Sequence, residues 1–233
     1  GPRASLPATT PEDHLRRALL SLAIDADIVL DLHCDGEAVP HIYALTPQAD
    51  AASPLAARLG AGALLLAEVS GDDPFDEACS RPWLSLRERF PSLPLGCLAM
   101  TVELRGKADV SRALAEADAA AIVDFLRQHG VVAGDTAAPA YSAPQATPLA
   151  GMEAAPSPAA GILVHAAPLG ATVEAGALLA EVFDPATGAA LPIRATIPGR
   201  LFARTQARVV AAGQRVAKVA GSTARRTGLL LTP

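Results

Sequence analysis

Aromatic residues are scarce, at 3% of the chain, so the core has to be built from Leu, Val, Ile and Ala. Lysine occurs only twice, at Lys107 and Lys218, and no Lys/Arg cluster relieves a formal net charge of -5. That balance excludes nucleic acid as an expected partner. The basic pair Arg225-Arg226 reads as a solvated tail. Cysteine is limited to Cys34, Cys79 and Cys97, irregularly spaced. This predicts free thiols in a reducing cytoplasm, not a disulfide framework. No signal-peptide pattern opens the chain and no apolar run is long enough to cross a bilayer, so the expectation is a cytoplasmic protein with no membrane partner. The chain opens on Gly1-Pro2 instead of methionine, which predicts a processed chain, a trimmed one or a fragment.

What remains is strongly apolar. With 233 residues, 51% hydrophobic and only 18% charged, the chain can fill one large domain or two small ones and is not a disordered sequence. Thr10-Pro11-Glu12-Asp13 reads as an N-cap with Pro at the first helical position, leading into an amphipathic helix through Leu15, Ala18, Leu19 and Leu22. Strands are expected up to His33, over His41 to Leu45, over Ala63 to Ala67, and from Cys97 to Glu103. Helices are expected from Ser53-Pro54 to Leu59, from Phe75 to Phe90 with a break at Pro82, and from a Ser111 cap to Gly130. Gly71-Asp72-Asp73-Pro74 reads as a turn. Strands alternating with helices imply an α/β domain over 1–132 with helices on the sheet faces.

From Ala133 the composition shifts to Ala, Pro, Thr and Ser, which marks 133–150 as a linker with one short strand near Ala146. The segment 151–233 then repeats itself. Ala160-Gly161-Ile162-Leu163 matches Pro198-Gly199-Arg200-Leu201; Val173-Glu174-Ala175-Gly176 matches Val210-Ala211-Ala212-Gly213; Leu179-Ala180-Glu181-Val182 matches Val216-Ala217-Lys218-Val219. Short strands with glycine turns in two copies predict halves that interlock into a small β-sandwich with few contacts to the rest. The repeat resembles the barrel-sandwich fold of biotinyl and lipoyl domains. The lysine that those carriers present between halves is missing from Asp184-Pro185-Ala186-Thr187-Gly188, so no cofactor attachment is expected. Lys218 reads as an exposed strand residue, and the second domain as a structural cap or an oligomerisation surface.

The chemistry concentrates in Ile28-Val29-Leu30-Asp31-Leu32-His33-Cys34-Asp35-Gly36-Glu37. A buried strand ending on Asp-x-His puts imidazole and carboxylate at a strand's carboxyl end, where open α/β sheets keep their sites. His33 is a candidate metal ligand, with a satisfied core histidine as the plain alternative; catalytic zinc takes three protein ligands and leaves a position for water. Glu103 ends a second apolar strand, and a buried carboxylate there has to be paired or used. As a general base it would take a proton from water and deliver it to a leaving amine. Asp35, Glu37 and His41 are candidates for orienting His33, touching substrate or forming a local metal set; a solvated loop is the plain alternative. Arg105 is a candidate fork for a substrate carboxylate, against an ordinary ion-paired arginine. Cys34 beside His33 is a poor nucleophile pair, because adjacent strand residues face opposite ways.

Asp31-Leu32-His33-Cys34-Asp35-Gly36-Glu37-Ala38, Asp73-Pro74-Phe75-Asp76-Glu77-Ala78-Cys79-Ser80-Arg81-Pro82-Trp83 and Thr101-Val102-Glu103-Leu104-Arg105-Gly106 together resemble the succinylglutamate desuccinylase/aspartoacylase family of zinc-carboxypeptidase-like hydrolases. The closing Gly199-Arg200-Leu201-Phe202-Ala203-Arg204 and Val216-Ala217-Lys218-Val219-Ala220-Gly221 are similar to the β-domain appended in its bacterial members. The resemblance implies a zinc-carboxypeptidase-like open sheet, incomplete N-terminally, followed by a smaller all-β domain. It implies Zn2+ as cofactor, His33 as the third zinc ligand, Glu103 as general base, and a small N-acylated amino acid or amine as substrate. The H-x-x-E motif that brings that family's first two ligands is absent: His14, His41, His129 and His165 are followed at that spacing by Arg17, Ala44, Val132 and Pro168. The expectation is therefore an amidohydrolase that depends on a missing N-terminal segment or partner chain, which would also cover an exposed sheet edge. The alternative, from another class, is a non-catalytic binding or scaffolding subunit of a larger assembly.

Overall fold

The computed structural model describes residues 9–71 and 74–230. Asp72 and Asp73, half of the expected turn at Gly71 to Pro74, lie outside the described residues.

The first helix, α1 (Pro11–Ala23), starts as its sequence dictates: Thr10 accepts from the Asp13 N–H while the Asp13 carboxylate accepts from the Thr10 N–H. The strands β1 (Ile28–Asp35), β2 (Glu37–Ala38) and β3 (His41–Leu45) follow. A single 3-10 turn over Thr46–Gln48 then runs straight into α2 (Ala49–Leu59). That helix begins four residues before the expected start at Ser53, with Pro54 inside it. Only the hydrogen bond to the Asp50 carbonyl is lost there, and Asp50 is exposed to water that can replace it. After β4 (Ala63–Ala67), α3 (Phe75–Arg89) likewise runs unbroken through Pro82. β5 (Leu98–Gly106) and α4 (Arg112–Gln128), capped by Ser111, complete the first part.

These strands form one mixed sheet in the order β1-β5-β3-β4, extended at the far edge by β6 (Ala146–Pro148) from the expected linker. β5 runs parallel to β1 and antiparallel to β3. Alternation along the strands assigns the faces. Ile42, Ala44, Met100 and Val102 pack with Leu55, Leu59 and Phe125 under α2 and α4. On the other face Val29 and Ala99 meet Ala23, Cys79 and Trp83 of α1 and α3. Farther along that face Tyr43 and Leu65 meet Leu149 and Phe202. Between those two clusters the second face is left open.

The remaining strands, β7 (Met152–Pro156), β8 (Gly161–His165), β9 (Thr172–Val173), β10 (Leu178–Phe183), β11 (Ala190–Arg194), β12 (Gly199–Arg204), β13 (Val209–Val210) and β14 (Arg215–Ala220), form two antiparallel sheets. Leu163, Leu179, Val182, Ile193, Leu201, Val216 and Val219 share one core. The repeat's halves exchange strands: β13 of the second half pairs with β8 of the first, and β9 of the first pairs with β12 of the second. The lysine-free loop Asp184–Gly188 joins β10 to β11, between the two copies of the repeat.

The β-module is not set apart as the linker composition suggests. β2, from the first part of the chain, adds to its sheet beside β12, with Ala38 opposite Ala203 and Glu37 opposite Arg204. Phe202 is fully buried against Tyr43 and Leu65 of the first sheet. A shared sheet and a shared core join the two parts, while residues 133–145 between them carry no helix or strand.

Candidate active site

The open stretch of the second face is a cavity of about 570 Å³ walled by α3, the sheet and the β-module. Asp31, His33, Thr101 and Glu103 line it from the adjacent strands β1 and β5, and Lys218 enters from β14. His33 and Glu103 are partners in the parallel register of β1 and β5, so both side chains project from the same face. His33 Nε2 lies 3.1 Å from Asp31 Oδ2, one pleat back along the strand. The imidazole is half exposed, at 51%, and is open to a further ligand.

Glu103 is the strained member. Burial pushes its carboxyl above the ordinary range, and the neighbouring Asp35 charge adds to the effect. Its Oε2 is buried without a hydrogen-bond partner. An orphaned carboxylate oxygen is costly in a merely structural role. Beside it the β1–β5 register slips between His33 and Asp35, and Arg105 adopts φ 91, the left-handed region that non-glycine residues avoid.

Asp35 does not line the cavity but holds Lys218, which does. Burial works against its charge, yet the Lys218 ammonium, 2.5 Å from Oδ2, and the Gly36 N–H hold its carboxyl below the usual range. The remaining candidates are not brought to the cavity. Glu37 is clamped by Arg204, at 2.6 Å, and by Arg208, tying β2 to the module. Arg105 spends both terminal guanidinium nitrogens on Asp118 of α4, each at 2.7 Å, on the opposite face of the sheet. His41 is a core residue: Nδ1–H donates to the Val39 carbonyl at 2.8 Å and the ring packs edge-on against Tyr43 and Phe202. Burial pulls its pKa down to about 4, so it is neutral. Cys34 is exposed, and Cys79 and Cys97 are buried free thiols.

Lys218 is the residue that sequence reasoning misplaced. It is not a free surface lysine but the cation of the cavity. The signal was available: Val216 to Ala220 is apolar at every position except Lys218, the near-continuous run of a strand covered on both faces, where a lysine needs a partner. Asp76 and Glu77, quoted above within a motif but given no role, also line the cavity.

The described residues do not by themselves make a metal site. No group of three or more His, Cys, Asp or Glu placed to hold a metal ion occurs among the described residues. Three protein ligands are the minimum for catalytic zinc. His33, with Asp31 against it, offers one position, so the chain by itself does not fit the ion.

The fold is shared with solved succinylglutamate desuccinylase/aspartoacylase structures. A protein from Shewanella amazonensis SB2B assigned to that family superposes with a TM-score of 0.81 at 26% identity, over 94% of this chain and 61% of that one. A second, from Shewanella frigidimarina NCIMB 400, gives 0.76 at 24% identity over 90% of this chain and 56% of that one. The ectoine utilization protein EutE (DoeB) from Ruegeria pomeroyi gives 0.67 at 20% identity, covering 92% of this chain and 66% of that one. This chain thus spans 61% and 56% of the two Shewanella relatives' lengths. No family model matches the sequence, and no curated protein matches it. Among the described residues no helix is long and apolar enough to cross a membrane.

Proposed function

We propose that this chain is the part of a cytoplasmic, zinc-dependent amidohydrolase that carries the catalytic carboxylate and one metal-binding imidazole. Its substrate is a small N-acylated amino acid or amine. A segment bearing H-x-x-E, in a partner chain or elsewhere in the polypeptide, completes the ligand set. The observation that carries the reading is the register pair: Glu103 stands beside His33 in one cavity, with an unpartnered Oε2. Amide hydrolysis needs a proton taken from water and a proton given to the departing amine. Burial raises the proton affinity of the Glu103 carboxyl above its ordinary level, which suits a group that takes a proton and gives it back. His33 holds one ligand position, steadied by Asp31, and Lys218 with Asp35 fixes the end of the strand that carries it. The names of the solved relatives, desuccinylase and aspartoacylase, fit removal of an acyl group. The β-module is a C-terminal barrel-sandwich domain of the biotinyl/lipoyl kind, without the attachment lysine.

The incomplete ligand set also favours a second reading, a non-catalytic scaffolding subunit. Metal content and reconstitution separate the two. The chain alone should take up zinc weakly and lose it on dialysis against a chelator. Mixed with a polypeptide carrying the H-x-x-E segment, it should retain zinc and hydrolyse acyl-amino acids. Stoichiometric zinc that survives the chelator in the chain alone would overturn the ligand mapping; no gain on mixing would favour the scaffold.

A further inference from the structure

Amide hydrolysis uses one carboxylate of the cavity, Glu103, and sets a second, Asp31, against His33. Two more carboxylates line the same space. Asp76 and Glu77, in the first turn of α3, are 5% and 3% exposed. Glu77 Oε1 accepts from the Ser70 N–H at 2.8 Å, but Oε2 is buried with no partner. Acidic residues in a first turn ordinarily offset the positive end of the helix. That explains why two carboxylates stand there; it does not explain an oxygen that none of the turn's N–H donors satisfies. Nor do the cavity's own cations reach it. Lys218 is held by Asp35 and His33 by Asp31, and no ion pair to Asp76 or Glu77 forms among the described residues. Phe75, Leu65 and Leu149 supply apolar walls nearby, which raises the cost of an unpaired carboxylate.

We propose that Asp76 and Glu77 form a cation subsite, so that the substrate is an acylated amine bearing a second, positively charged amino group. This rests on the amidohydrolase reading of the cavity and narrows it. An ammonium brings three donors for the Asp76 and Glu77 carboxylates, which line the cavity side by side. A substrate that places a carboxylate, instead of an ammonium, at the α3 end would set like charge against both residues. A cavity of about 570 Å³ holds an acylated diamine or basic amino acid with its amide toward Glu103 and its ammonium toward α3.

Calorimetric titration of the full chain with three matched amides tests this without turnover. The probes are N-acetylputrescine, its neutral analogue N-pentylacetamide, and N-acetyl-γ-aminobutyrate. The ammonium ligand should bind about tenfold tighter than the neutral one, with the carboxylate weakest. Glu77→Gln should bring the ammonium and neutral ligands to within about twofold of each other. Asp76→Asn should narrow the gap, and serves where Glu77→Gln melts below the working temperature. Glu103→Gln should keep the preference. Equal binding of the three, tightest binding of the carboxylate, absence of binding, or loss of the preference in Glu103→Gln as large as in Glu77→Gln would each overturn the subsite. Ammonium preference in a reconstituted protein with zinc but no turnover would uphold the subsite and remove the hydrolase reading instead.

Discussion

Lys218 Nζ lies 2.5 Å from Asp35 Oδ2, and this contact joins the last strand of the β-module to the end of the strand that carries His33. The pair is part-buried, at 33% and 21% side-chain exposure, so water screens it only partly. Lys218→Met leaves Asp35 uncompensated and should cost about 1 kcal/mol at neutral pH. The sign with pH follows from Asp35, whose folded pKa lies below its ordinary 3.8. The stabilisation is present above 3.8 and is lost as pH falls through the lower folded value. The gap between the variant's denaturation midpoint and the native one should therefore close in acid; a gap that persists there would assign the loss to packing.

Glu103→Gln should raise stability while ending turnover. The folded protein holds this carboxyl above its ordinary 4.5, so its contribution is lost as pH rises through the folded value. Above that value the amide removes a disfavoured charge, worth about 1 kcal/mol and about 2–4 °C in Tm. In the reconstituted enzyme the same change should lower kcat by about a hundredfold or more, with zinc retained. A lower Tm would show that Glu103 is satisfied by a partner after all.

That His33 and Glu103 share one face was legible because each sits near the end of a β-forming run, and a strand's period fixes which face an ionisable residue takes. The roles of Glu37, His41 and Arg105 were not, because their partners are distant in sequence. Arg204 is 167 residues from Glu37, and Phe202, which packs His41, comes from the module. Local composition marked 133–150 as a linker, but nothing local shows that β2 crosses into the second sheet system or that Ala146 closes the first. The helix starts at Ser53 and the break at Pro82 failed for one reason: proline costs a single hydrogen bond, and packing along α2 and α3 outweighs it.

Asp76 and His41 pull the pH dependence of stability in opposite directions. Burial pushes Asp76 up to about 6 from an ordinary 3.8, so its contribution is lost as pH rises between those values. Burial pulls His41 down to about 4 from 6.5, so its contribution is lost as pH falls through that window. These two contributions should largely cancel between those limits. Asp76→Asn should expose the histidine slope, gaining about 2–3 kcal/mol on the native chain as pH rises from about 4 to 6. Denaturant midpoints measured at half-unit steps check it, and parallel curves would remove Asp76 from the account.

The segment 151–233 should fold alone into a strand-rich domain, but a weaker one than in the intact chain. Its own core, around Leu163, Leu179 and Val216, is closed without help. Removing the first part strips β2 from β12 and uncovers Phe202, fully buried in the intact chain, together with Met152. Exposing a phenylalanine of that kind costs about 2–3 kcal/mol and leaves an unpaired strand edge. The isolated segment should therefore give a cooperative melt below that of the whole chain, bind a hydrophobic dye and self-associate. Phe202→Ser should relieve the dye binding without abolishing the melt. Its mass should be unchanged by biotin or lipoate ligases, because Asp184 to Gly188 offers no amine and Lys218 is the only lysine in the segment. A melt as high as that of the intact chain, with no dye bound, would make the interface with the first sheet incidental to the module's stability.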